Sequence, residues 1–167
     1  MTYSVAILTV SDRCSRGEAT DRSGPALAEA VEAAIDARVL ATGCVPDEQE
    51  QIAEQLRAWS ASRPPIDLVL TTGGTGLSPR DHTPEATLGV LERRHAGLID
   101  LIRTRCYAKT PMTALSRGEA GTLGQTLIIN LPGSPRGALE WFEAVADVLP
   151  HAIDTMLGVG DQHHADE

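Results

Sequence analysis

Aromatic residues, lysine and cysteine are all scarce in this sequence, and each shortage excludes something. One Phe, two Tyr and two Trp among 167 residues are too few for base-stacking platforms on single-stranded nucleic acid or for an aromatic-rich protein interface. Lys109 is the only lysine, and the 14 Lys+Arg are outnumbered by 23 Asp+Glu, for a formal charge of −9. That balance argues against nucleic-acid backbone binding, which releases counterions through clustered cations, and against a polybasic membrane anchor. Neither nucleic acid nor membrane is expected as a partner; small ligands are. Cys14, Cys44 and Cys106 are odd in number, far apart and without a C-x-x-C pair, so no disulfide framework or zinc knuckle is indicated and a reducing, cytoplasmic setting is expected. No run of about 18 apolar residues exists to span a bilayer. Met1-Thr2-Tyr3-Ser4 leads straight into an apolar stretch without a basic region, so no export signal is expected.

What is present reads as one domain over residues 1–160 with a polar, disordered tail over 161–167 that carries His163-His164. A chain of this length should hide roughly 70% of its unfolded surface, enough for a core without metal or disulfide staples. Short apolar, partly β-branched runs at Val5 to Val10, Val39 to Val45, Ile66 to Leu70 and Leu127 to Leu131 are bounded by turn residues and read as strands. Between them, Leu27, Val31 and Ile35 mark one helix face, and Ile52, Leu56 and Trp59 another. Thr83-Pro84-Glu85 opens a further helix, with Thr as N-cap and Pro at the first position. Another is expected from about Gly97 to Tyr107. A last one, from about Gly137 to Leu157, should kink or break at Pro150. Strand and helix alternating in this way predict an α/β fold, a three-layer αβα sandwich around a mainly parallel sheet, because parallel neighbours need helical crossovers.

The unusual residues fall where such a fold places its ligands. Ser11-Asp12-Arg13 follows the first strand, Pro46-Asp47 the second, Thr71-Thr72-Gly73-Gly74-Thr75-Gly76 through Pro79-Arg80-Asp81 the third, and Pro132-Gly133-Ser134-Pro135-Arg136 the last. All are carboxyl ends of strands, outside which open α/β sheets bind ligands, so one convergent site is expected. Gly73 to Gly76 can bring bare backbone N–H groups against a phosphate, or form no more than a tight turn. The pattern is neither a Walker A loop nor a dinucleotide fingerprint, since the Lys and the third Gly are missing. Asp81 suits Mg²⁺, which takes one or two carboxylates plus phosphate oxygens. Asp47 reads equally as a ligand or, with Glu50, as a capping box, and Asp21 or Ser23 as caps of the first long helix. His82 adjoins the site, while His95 and His151 read as surface positions, and no Ser-His-Asp arrangement can be assembled. The cysteines read as packing residues. Arg13, Arg16, Arg22, Arg80, Arg117 and Arg136 lie in the site loops, whereas Glu29, Glu32, Glu50, Glu54, Glu140 and Glu143 fall on helices. This predicts a cationic pocket inside an acidic, solvated surface, with arginine forks gripping phosphate.

Taken together, Thr71 to Gly76, Pro79-Arg80-Asp81, Thr83-Pro84-Glu85-Ala86-Thr87, Leu115-Ser116-Arg117 and Asn130 to Pro135 resemble the molybdopterin adenylyltransferase family of molybdenum-cofactor biosynthesis, the Mog and MoaB-like proteins, from about Ser4 to Gly158. The resemblance implies a homotrimer, or a hexamer, that transfers AMP from Mg-ATP to the terminal phosphate of molybdopterin, with hand-over of the product to a molybdenum insertase. By the same resemblance Asp81 and Asp47 are the catalytic carboxylates that hold Mg²⁺. Thr72, Gly73, Gly74, Thr75, Gly76, Arg80 and Ser116 match the molybdopterin and phosphate side, and Ser11, Asp12, Pro132, Gly133 and Ser134 the nucleotide side. The alternatives are a MoaB-like protein that binds molybdopterin without catalysis, and a nucleotide pyrophosphatase on a related fold.

Overall fold

A computed structural model describes residues 1–159; the expected tail with His163-His164 lies outside the described residues. Six strands form one sheet: β1 (Tyr3–Val10), β2 (Ala37–Val45), β3 (Leu68–Thr72), β4 (Arg93–Arg94), β5 (Ala120–Leu123) and β6 (Thr126–Leu131). Their order is β2-β1-β3-β6-β5-β4. The first four in that order run parallel, while β5 and β4 add an antiparallel edge. β1 and β6 carry central apolar runs, Val5–Leu8 and Leu127–Ile129, because both faces are covered. Tyr3, Val5 and Ile7 face one helical layer, and Ala6, Leu8 and Val10 the other.

The first layer consists of α2 (Ser23–Ala34), α5 (Ala96–Tyr107), α6 (Pro135–Glu143) and α7 (Leu149–Leu157), which bury Leu27, Val31, Ile102, Trp141, Phe142 and Ile153. α3 (Gln49–Ser60) and α4 (Thr83–Leu88) form the second, over Ile52, Leu56 and Ala86. A one-turn α1 (Asp12–Ser15) and a 3-10 turn at Pro111–Leu115 complete the elements among the described residues. The three-layer expectation therefore holds, and among the described residues no helix is long and apolar enough to cross a membrane.

Three expectations shift. The third strand starts at Leu68 rather than Ile66, because the Ile66 N–H donates to the Trp59 carbonyl and stays out of the ladder. It then continues through Thr71 and Thr72, which pair with Asn130 and Leu131. The long last helix is two helices separated by residues 144–148. Pro150 lies in the first turn of α7, where its missing N–H removes no intrahelical bond, so it starts a helix instead of kinking one. The expected last strand is present as β6, but it is preceded by β5, an antiparallel partner joined to it by a turn at Gly124 with φ 57°, where the sequence pattern marks no element. Of the cysteines, only Cys106 is buried; Cys44 is exposed on the edge strand β2.

Candidate functional site

The loops at the carboxyl ends of β1, β2, β3 and β6 do converge. The Gly73-Gly74 turn is forced by its surroundings. Gly73 has φ 102° and Gly74 φ 64°, a Cβ on Gly73 would run into the Val10 carbonyl, and one on Gly74 would lie 3.0 Å from Asp47 Oδ1. L-residues avoid this left-handed region. The turn is pinned from behind: Thr83 Oγ1 donates to the Gly73 carbonyl at 2.8 Å, and the Thr83 N–H to the Gly74 carbonyl at 3.1 Å. Thr83 is thus a brace for the loop rather than a helix cap.

Two clefts flank this turn. One, of about 430 Å³, lies on the α6 side between Thr75, Gly76, Ser116 and Pro132, with Met112 and Leu115 of the 3-10 turn and Trp141 as further walls. The other, of about 380 Å³, lies on the α2 side among Ser11, Cys14, Asp21, Arg22, Asp47 and Thr72. Gly74, Gly133 and Asp81 border both. A Cβ on Gly133 would stand 3.1 Å from Gly73 Cα, so the two backbones form a thin common wall.

Of the residues singled out in sequence, Gly74, Thr75, Gly76, Ser116, Asp81, Pro132, Gly133 and Ser134 line the α6-side cleft, and Ser11, Asp47, Thr72, Gly73, Gly74, Asp81 and Gly133 the other. The two groups therefore interleave. Arg80 and Asp12 line neither, because Arg80 Nε and Nη2 donate to the Asp12 carboxylate at 3.1 and 3.0 Å and Nη2 also reaches Glu48 at 2.9 Å.

Asp47 does not cap α3. Its carboxylate accepts the Asp12 N–H at 2.9 Å while its own N–H donates to Asp12 Oδ1 at 3.1 Å, a reciprocal clasp between the β1 and β2 loops. Burial raises the Asp47 pKa, and the nearby Asp12 and Asp81 charges raise it further. Arg80 instead holds Asp12 below the ordinary carboxylate range. Asp21, by contrast, does serve α2, accepting the Gly24 N–H at 3.0 Å and the Thr9 hydroxyl at 2.6 Å. Ser23 donates to the Gly133 carbonyl at 2.8 Å, tying α2 to the β6 loop.

Among the described residues no three His, Cys, Asp or Glu side chains form a ready metal cage. Asp47 and Asp81 facing one cleft do suit a hard cation that completes its shell with phosphate oxygens and water.

The expected cationic pocket is corrected in part by pairing: Arg16 lies against Glu18, Arg80 against Asp12 and Glu48, Arg117 against Glu85, and Arg136 against Glu140, whereas Arg22 lines the α2-side cleft. Arg117 acts as a brace, its Nε donating to the Gly76 carbonyl at 2.8 Å and Nη2 to the Asp81 carbonyl at 2.9 Å. Sequence reasoning missed the 3-10 turn, Trp141 and Glu140 as cleft walls. The Pro111 that starts the turn, thirty residues before Trp141, was the available signal.

A family model described as a probable molybdopterin binding domain matches residues 6–151. The solved molybdopterin biosynthesis enzyme MoaB of Thermus thermophilus is 52% identical, covers 94% of this chain and 98% of its own, and superposes with a TM-score of 0.88. A molybdopterin adenylyltransferase of Helicobacter pylori strain J99 is 38% identical over 158 residues, 94% of this chain and 89% of that protein. The molybdenum cofactor synthesis protein cinnamon of Drosophila melanogaster is 41% identical over 147 residues, and this chain spans only 24% of its length.

Proposed function

Because this chain belongs to the family described as the probable molybdopterin binding domain, we propose that it serves molybdenum cofactor biosynthesis as a molybdopterin adenylyltransferase. A terminal phosphate oxygen of molybdopterin attacks the α-phosphorus of ATP, the bond to the pyrophosphate oxygen breaks, and adenylyl-molybdopterin and pyrophosphate leave. The observation that carries this reading is the pair of clefts separated by one backbone wall, with Asp81 on both sides. Two polyanionic substrates, one per cleft, would bring their phosphates together over Gly73 to Gly76.

Transfer between phosphates needs positioning and charge stabilisation more than covalent help from the protein. The glycine turn supports both, since it offers backbone donors that no Cβ shields. Asp47 and Asp81 would hold Mg²⁺, a fit suggested by both lining the α2-side cleft, where burial, with a smaller contribution from the Asp12 and Asp81 charges, raises the Asp47 pKa. Mg²⁺ would neutralise charge on the phosphoryl group in transit. Arg117 keeps the Gly76 to Asp81 loop in shape, and Ser116 Oγ, which donates to Thr75 Oγ1 at 3.2 Å, steadies the rim. A cytoplasmic homotrimer that hands its product to a molybdenum insertase completes the reading.

Incubation with molybdopterin and Mg-ATP, followed by mass spectrometry, should yield AMP-linked pterin and pyrophosphate. Asp81→Ala should abolish product while leaving the thermal transition in place, and gel filtration should report three subunits. AMP released without a pterin acceptor, or pterin bound without any product, overturns the adenylyltransferase reading.

A further inference from the structure

Glu140 belongs to the helical acids that sequence assigns to the solvated surface, yet it lines the α6-side cleft and its side chain is only 19% exposed. A smaller hollow of about 260 Å³ continues the cleft past it, between Lys109, Thr110 and Arg136. The carboxylate is fixed from both sides. Arg136 Nε donates to Oε1 at 2.7 Å and Thr110 Oγ1 donates to Oε2 at 2.8 Å. Each oxygen keeps a second lone pair free.

The rest of the cleft narrows what those lone pairs can meet. Among the described residues no Lys, Arg or His lines it, and its two charged side chains are Asp81 at the glycine turn and Glu140 at the far end. The cations nearest Glu140, Arg136 and Lys109, lie in the adjoining hollow, and Arg136 is already engaged by the carboxylate. Met112, Leu115 and Pro132 offer apolar walls suited to a flat ring. The one nearby ring donor, Trp141 Nε1, is already bonded to Thr113 Oγ1 at 2.9 Å. The end of the cleft is therefore an acceptor beside apolar surfaces, which matches an aromatic heterocycle bearing an amino group.

We propose that Glu140 is a specificity-determining residue, whose carboxylate accepts a hydrogen bond from the exocyclic amino group of the heterocycle bound in this cleft. This rests on the adenylyltransferase reading, which offers two such rings. A pterin presents its 2-amino group with a ring N–H beside it, and adenine presents its 6-amino group. In each case, replacing the amino group by a carbonyl sets two acceptors against each other. A hydrogen bond to a charged group then turns into a repulsion, so the analogue should bind roughly 10- to 100-fold more weakly.

The test measures binding of two matched pairs, 6-carboxypterin against 6-carboxylumazine by fluorescence and Mg-ATP against Mg-ITP by calorimetry. Each is titrated into the wild type, Glu140→Gln and Arg136→Ala. In the wild type one pair should be discriminated by roughly 10- to 100-fold, and that pair names the ring. Glu140→Gln should reduce the preference below about threefold, because its amide can turn an NH₂ towards the carbonyl of the analogue. Its response to the other pair should not change, which excludes misfolding. Arg136→Ala should keep most of the preference, since Thr110 still holds the carboxylate. Ligands bound without discrimination by the wild type, or a preference that survives Glu140→Gln, overturn the role of Glu140 alone. A wild type that binds neither pterin nor nucleotide overturns the adenylyltransferase reading together with it.

Discussion

Replacing Asn130 by Leu should cost this protein at least about 3 kcal/mol of stability. Asn130 is fully buried in β6, opposite Thr71. Its Nδ2 donates to Thr71 Oγ1 at 3.0 Å and to Thr87 Oγ1 at 2.9 Å, and its Oδ1 accepts the Glu119 N–H at 3.1 Å. One side chain therefore joins β3, α4 and the entry to β5. Leucine has the same branching and number of heavy atoms, so no cavity opens, and its bulkier methyl groups add an overpacking cost on top of the polar loss. Two buried hydroxyls each lose a neutral hydrogen bond, about 1 kcal/mol apiece, and a peptide N–H is left without its partner, about 1 to 3 kcal/mol. The half-buried setting of Glu119 gives water some access to that N–H, which places the polar sum near the lower end. For a domain of this size, about 3 kcal/mol corresponds to a fall in Tm of roughly 6 to 12 °C. Urea unfolding followed by circular dichroism should show a lower midpoint with an unchanged slope. A loss below about 1 kcal/mol would refute the bonding account, since neutral replacement of the whole network would then be the correct description.

Other perturbations separate loop geometry from stability. Gly74→Ala places a Cβ against Thr83 Oγ1 and 3.0 Å from Asp47 Oδ1, at φ 64°. It should lose adenylyl transfer while still folding, at a strain of about 1 to 2 kcal/mol, and full activity in the assay would contradict the wall's role. Arg117→Lys cannot reproduce a planar fork shared between the Gly76 and Asp81 carbonyls and Glu85. Amide hydrogen exchange should therefore quicken across residues 76–81 with the global transition nearly unmoved, and unchanged exchange would count against the brace. Tyr3 is pushed up to about 12 from 10.0, first by burial and then by its hydrogen bond to Asp154 and nearby negative charge. Since the folded pKa lies above the unfolded one, this stabilisation is complete below pH 10 and fades as pH rises towards 12. Screening at the carboxylate reduces it to about 1 to 2 kcal/mol. The stability gap between wild type and Tyr3→Phe, from urea midpoints, should close over that window, and a gap constant with pH would refute it.

The parallel half of the sheet was legible because strands covered on both faces carry near-continuous apolar runs, as Val5–Leu8 of β1 and Leu127–Ile129 of β6 do. The antiparallel edge was not. β5 is Ala-Gly-Thr-Leu and β4 two arginines, short strands with little side-chain pattern; β5 is held by its hairpin to β6, and β4 only by pairing with β5 far along the chain. The loops of the site were legible as residue types at strand ends, since topology alone brings those ends together. Their partners were not. That Asp47 clasps Asp12 instead of capping α3, or that Arg80 turns to Asp12 and Glu48, depends on contacts between segments more than thirty residues apart. Glu140 shows the same blindness on a helix. It shares the sequence context of Glu143, but one faces the cleft and the other is exposed.

The shared wall of Gly73, Gly74 and Gly133 limits how this protein can change. With no Cβ tolerated at Gly73 or Gly74, and Gly133 set 3.1 Å from Gly73 Cα at the position a Cβ would take, the partition has no side chain with which to favour one occupant. Any alteration there is felt by both substrates at once, so divergence towards a new pair of ligands cannot begin at the centre. It must proceed from the outer banks, Met112 and Glu140 on one side and Asp21 and Arg22 on the other, each free to drift without consulting its opposite.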